Sequence, residues 1–276
     1  MKKLTLLLVL GLFACEFGDK AKDNKTREEP PAFQGTSVEY EIARLEKEGG
    51  PCENEESKPC VEVKISYPSI LKGASKVVLD SLNRNIQSTI LDYAFISEKP
   101  DNFESLIGEI QEEYESVNEE FPSYNTPWQL EVSADIIYQD SLFISIASTI
   151  YSFTGGAHPN SYQVYRSYDL TTGKALTLSD LLDVGYELDL NEAAELEFRM
   201  AKRIPPSRDL DDEGYFFEGN RFKLNSNFAI MNRSLLFYFN PYEIGPYALG
   251  ATELELKLTD YVKLIKDGSV IEDLKN

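Results

Sequence analysis

The chain has 276 residues, with 27 Lys and Arg against 47 Asp and Glu, and a formal net charge of −20 at pH 7. Such acidity excludes nucleic-acid binding, whose affinity comes from neutralising phosphates with Lys and Arg, and it opposes adhesion to anionic lipid. At 42% hydrophobic and 12% aromatic content there is material for one large domain or two small ones.

The N-terminus places Lys2 and Lys3 before an apolar run over residues 4–13 and the string LFAC, which ends at Cys15. A helix needs roughly 17 to 25 residues to cross the hydrocarbon core, so this run is the h-region of a signal peptide and not a span. Ala14 before Cys15 fits lipoprotein cleavage, with Cys15 acylated and held in a membrane by the lipid alone. An ordinary signal peptide cut elsewhere is the competing reading. Loss of Lys2 and Lys3 leaves 25 cations against 47 anions, a net charge of −22. That charge favours cationic partners electrostatically, although solubility alone also accounts for it.

Residues 15–37 are polar, carry Pro30 and Pro31, lack a hydrophobic period, and read as a tether. Cys52 and Cys60 remain as an even pair and are expected to form a disulfide in an oxidising compartment. Half of a metal site is the alternative, but no CxxC or paired His accompanies them. Val61, Val63, Ile65 and Tyr67 alternate with polar residues, the period of a half-buried strand. Leu79, Leu82, Ile86, Ile90 and Tyr93 share one face of a helix over 75–96. A second helix is expected from Asp101, with Glu104 completing a capping box, as far as Pro122. Trp128 to Tyr138 alternates strictly, turns at Asp140 and Ser141, and continues over 142–153 as a hairpin. Further strands are expected at 161–169, 227–231, 235–239 and 252–258, and helices at 177–182, at 190–204 and from Asp260. The order implies an α+β fold, mostly antiparallel sheets packed with helices. The expected organisation is a signal peptide over 1–14, the lipidated tether, two consecutive subdomains over 38–157 and 158–265, and a tail over 266–276.

Catalytic constellations are absent. His158 is the single histidine, and GxSxG, HExxH, P-loop and Rossmann patterns are missing. No catalytic residue, cofactor or metal ligand is therefore assigned, and an acid pair among the 47 carboxylates has no sequence signature by which to be located. Two clusters stand out. Residues 154–160 join paired glycines to His158, Pro159 and Asn160 between two strands, either a rigid connector or a ligand site. Residues 240–250 present Tyr242, Glu243 and Tyr247 in a Pro-stiffened loop, suited either to partner contact or to covering the core.

YSFTGGAHPNSY (151–162), DLTTGKALTLSDLL (169–182) and FYFNPYEIGPYALGATELEL (237–256), followed by a short helix, resemble the extracytoplasmic domain shared by RsiV-type anti-sigma factors and PdaC-type peptidoglycan deacetylases. CVEVKISYPSI (60–70) and the helix after it resemble the domain of unknown function that precedes it. The resemblance implies an α+β fold and, from the RsiV-type proteins, a receptor for lysozyme; in PdaC-type proteins this region accompanies a separate catalytic domain. Neither a cytoplasmic sigma-binding segment nor a deacetylase domain is recognisable here, so the expected function is non-catalytic binding of a lysozyme-like cationic protein or of peptidoglycan at the cell envelope. Tyr242, Glu243 and Tyr247 are the expected contacts, with His158 and Asn160 as a second patch. A wall-modifying enzyme and a structural envelope lipoprotein are the competing classes.

Overall fold

The computed structural model describes residues 38–49, 60–94, 99–121 and 126–275. Cys15, Cys52 and the signal and tether segments lie outside the described residues. None of the described helices is long and apolar enough to cross a membrane.

Five strands form the first sheet: β1 (Glu39–Gly49), β2 (Val61–Lys72), β3 (Trp128–Gln139), β4 (Phe143–Phe153) and β5 (Asn160–Asp169), in that spatial order. All neighbours pair antiparallel except β2 and β3, which run parallel because α1 (Lys76–Ala94) and α2 (Phe103–Glu120) carry the chain across. β3 alternates buried Trp128, Leu130, Val132 and Ala134 with exposed neighbours. Those residues, with Val61, Val63 and Ile65, pack against Leu82, Ile86, Ile90, Leu106 and Ile110 of the helices to form the first core. Pro68 sits within β2 because pairing to β3 stops at Ser66, leaving no β3 carbonyl for it to serve. The cap of α2 is Asn102 and not Asp101: its Oδ1 accepts from Ser105 N at 2.9 Å.

The second sheet is an antiparallel meander of β6 (Phe228–Met231), β7 (Ser234–Phe239) and β8 (Thr252–Lys257). α3 (Leu178–Leu181) and α4 (Tyr186–Lys202) precede it. Phe198 of α4 is fully buried among Tyr215, Phe217 and Phe222, with ring centroids 4.8 to 5.7 Å away. Near its start β4 is buried on both faces. Ile144 and Ile146 join the helix-side core, whereas Phe143 joins the second. The first sheet is thus covered by helices on one face and, around β4 and β5, by the second sheet on the other.

Three features depart from the expected segmentation. β1 was not anticipated. β5 belongs to the first sheet, so that sheet continues past the 157/158 division and the change of sheet falls after Asp169. Residues 266–275 bury Ile271 and Leu274 in the second core, and Lys266 N donates to Leu181 O at 2.8 Å. The terminal segment is therefore a packed part of the fold.

After β5 the chain turns back against α1. Asp169 Oδ1 accepts from Thr171 N at 2.6 Å and Thr172 N at 2.9 Å, and Asn85 Nδ2 donates to Gly173 O at 2.7 Å. Gly173 has φ +70°, and a Cβ there would lie 2.6 Å from Val78 O and 2.8 Å from Leu82 N, both helix backbone. Gly173→Ala is expected to destabilise the protein by about 2–4 kcal/mol, combining left-handed strain with a backbone clash. A urea melt with a lowered midpoint and unchanged slope checks this; an unaltered midpoint would show that the turn is free to move off α1.

Candidate functional site

The two sequence clusters meet in space. The β4–β5 connection turns through Gly155 and Gly156, at φ +96° and +98°, and delivers His158 beside the loop that follows β7. His158 stacks on Tyr247 with ring centroids 4.3 Å apart and planes 12° from parallel. Its Nδ1 lies 3.0 Å from Pro159 O and its Nε2 3.1 Å from Tyr242 Oη. A carbonyl oxygen only accepts, so Nδ1 donates to Pro159 O, and Nε2 and the Tyr242 hydroxyl share the second hydrogen bond. Tyr242 and Tyr247 complete the triangle at 5.4 Å.

The loop is held from beneath. Ile244 is buried, and its carbonyl accepts from Phe216 N at 2.8 Å. Asn240 is buried too; its Oδ1 accepts from Gln163 N of β5 at 2.7 Å. Glu243 N donates to Asn240 O, closing a four-residue turn with Pro241 and Tyr242 at its centre. Proline followed by a positive φ is the type II pattern, which usually places glycine third. Here Tyr242 takes φ +69°. Left-handed backbone costs an L-residue roughly 1–2 kcal/mol, so this ring is held in place against strain.

Of the five predicted contacts, His158, Tyr242 and Tyr247 therefore form one unit. Tyr242 and Tyr247 are 56% and 44% exposed, which makes the cluster an outward-facing platform and not a core cover. Glu243 braces the turn: Oε2 accepts from Asn240 N at 2.8 Å and Oε1 from Asn225 Nδ2 at 2.6 Å. Asn160 starts β5 opposite Ser152, exposed, with no side-chain bond to the three rings. Sequence reasoning placed Asn240 in the cluster but not its role, and it missed Asn225 and Asn227, the other amides that fix this loop; isolated asparagines carry no periodic signal. None of the five predicted contacts lines the cavity of about 750 Å³ found elsewhere in the protein. Among the described residues, no group of three or more His, Cys, Asp or Glu could hold a metal ion.

Strain at residue 242 has a measurable consequence. Tyr242→Gly is expected to be more stable than Tyr242→Ala by about 1 kcal/mol, because only glycine takes this φ freely, although both variants lose the ring. Equal denaturation midpoints for the two would show that the turn relaxes to negative φ.

Family models match two segments in succession: "Deacetylase PdaC" over residues 54–161 and "Protein of unknown function (DUF3298)" over 179–259. Among curated proteins the chain is 26% identical over 179 residues to Esterase Rv3036c of Mycobacterium tuberculosis, covering 60% of this chain and 74% of that one. It is 25% identical over 175 residues to the peptidoglycan-N-acetylmuramic acid deacetylase PdaC of Bacillus subtilis, covering 63% of this chain but only 36% of that protein. A DUF3298 family structure from Bacteroides fragilis superposes with a TM-score of 0.72 at 19% identity, covering 88% of this chain and 99% of that one. A second, from Pseudomonas aeruginosa, gives 0.64 at 20% identity, covering 84% and 97%. These structural likenesses establish the fold. The chain carries a PdaC-type domain followed by a DUF3298 domain, the pair that its motifs resemble.

Proposed function

We propose that this protein is a non-catalytic, lipid-anchored envelope protein that binds a cell-wall-related partner through the His158, Tyr242 and Tyr247 platform, with a lysozyme-like cationic muramidase favoured over peptidoglycan itself. The observation that carries this reading is the platform: three rings in mutual contact, the two tyrosines exposed, on a loop anchored to the sheet below. Rigid amphipathic rings supply contact area with little loss of rotamer freedom, and tyrosine faces attract Lys and Arg. The net charge of −22 after signal removal steers a basic partner towards the surface. Cys15 is the proposed anchor, and the location is the extracytoplasmic side of a bacterial membrane. The names of the two curated relatives support a role in wall or ester chemistry; deacetylase or esterase activity is the alternative they favour.

The test is a calorimetric titration of residues 38–276 with lysozyme at low and high salt, with a peptidoglycan pull-down in parallel. Saturable one-to-one lysozyme binding is expected, weaker at high salt and reduced about tenfold or more by Tyr242→Ala and by Tyr247→Ala. If both variants bind as the parent does, the platform is the wrong surface. If neither lysozyme nor peptidoglycan binds, the reading itself falls, and release of acetate or reducing ends from peptidoglycan would establish the enzyme instead.

The pairing of Cys52 with Cys60 belongs to the same extracytoplasmic reading. Peptide mapping of unreduced protein exported to the envelope is expected to recover the two in one linked fragment; recovery of both as free thiols would contradict it.

A further inference from the structure

The cavity of about 750 Å³ lies within the range of roughly 300–1,000 Å³ typical of small-molecule sites. Arg166 of β5, residues 175–179, the first turns of α4 and residues 223–228 wall it, and Leu190, Leu224 and Phe228 give it an apolar lining. Two cations, Arg166 and Lys223, share it with one carboxylate, Glu187, which reverses the charge balance of the chain as a whole. Neither cation enters a salt bridge among the described residues.

Arg166 is also oriented. Its Nη1 donates to Tyr165 O at 2.7 Å and to Ser226 O at 2.9 Å, which engages both hydrogens on that nitrogen. The Nε–Nη2 edge has no partner among the described residues. That edge presents two parallel N–H groups at the spacing of carboxylate oxygens. Backbone carbonyls thus fix one end of the guanidinium and leave the other end free to read an anion.

We propose that this cavity binds a small carboxylate ligand with an apolar body: Arg166 takes the carboxylate on its Nε–Nη2 edge, Lys223 adds charge at the exposed rim, and Leu190, Leu224 and Phe228 cover the apolar part. A carboxylate on an apolar body terminates both fatty acids and short apolar peptides, and the two sources are separable by experiment. The site is distinct from the aromatic platform, so its test is independent of the lysozyme and peptidoglycan results.

The full chain is titrated by calorimetry with octanoate and with N-acetyl-leucyl-leucine, and with the neutral amide of each. At least one acid is expected to bind saturably at one-to-one stoichiometry, with its amide about tenfold or more weaker; which acid binds identifies the source. Arg166→Lys keeps the charge but loses the fork and is expected to weaken the acid about tenfold. Lys223→Gln, at an exposed position that carries no structural bond, is expected to weaken it about two- to fourfold and keeps the test valid if Arg166→Lys fails to fold. Absence of binding by both acids, equal binding of acid and amide, or an acid affinity unchanged in the folded variants would each overturn the proposal.

Discussion

The two sheets are joined by side chains that complete each other's open edges, and the remaining architecture depends on this closure. β5 is the outer strand of the first sheet, so the N–H groups of Gln163 and Tyr165 have no ladder partner on that side. Asn240 and Asn227 supply the missing acceptors, each at 2.7 Å, and both amides return a donor to Gln163 O. The exchange is reciprocal. Ile230 of β6, the outer strand of the second sheet, donates to Ser167 Oγ at 2.8 Å, and its carbonyl accepts from Ser145 Oγ. Ser145 and Ser167 are cross-strand neighbours, completely buried and bonded to each other at 2.7 Å. Each bond contributes only about 1 kcal/mol net, yet loss of one partner strands a buried polar group at about 1–3 kcal/mol. These positions therefore specify how the sheets meet more than they add to stability.

The platform inherits its geometry from that closure. Asn240 bonds to β5 and also begins the turn that carries Pro241 and Tyr242. His158 enters at the same end of that strand, two residues before β5 begins. One strand thus fixes both halves of the ring cluster, which explains how residues 84 apart in sequence keep a 3.1 Å contact at the surface. Glu243 adds a second tie through Asn225, whose own Nδ2 also reaches Tyr238 O at 2.8 Å. With the backbone so constrained, the strained φ of Tyr242 persists instead of relaxing.

How much of this was legible follows from the kind of signal each part carries. β3 was readable because strict alternation reports one buried face, β4 because an apolar run follows the turn at Asp140 and Ser141, and α1 because its apolar residues recur at helical spacing. β1 was not, since EYEIARLEKEG has no buried residue; it is an edge strand whose charges guard its open side, and its burial does not alternate cleanly. The helix cap shifted by one residue because Asp101 and Asn102 are equally good caps by composition, and only geometry selects between them. Both halves of the platform were flagged by glycine, proline and tyrosine content, but composition does not encode that they touch. Arg166 gave no signal at all. It sits in a strand where alternation predicts only inside or outside, and its importance comes from two carbonyls, one of them 60 residues away.

Charge ties the two surfaces into one picture without making them one site. Among the described arginines, Arg199 pairs with Glu195 at 2.8 Å and Arg208 with Glu213 at 3.0 Å, whereas Arg166 lines a cavity outside any salt bridge. Backbone oxygens, which carry only partial charge, orient Arg166 without neutralising it. The ring cluster has a different chemistry. His158, Tyr242 and Tyr247 present ring faces on a turn braced by Glu243 and Asn240. The ring cluster is exposed, and the cavity carries two cations and one carboxylate. The fold places both along β5, the strand whose open edge the asparagines close.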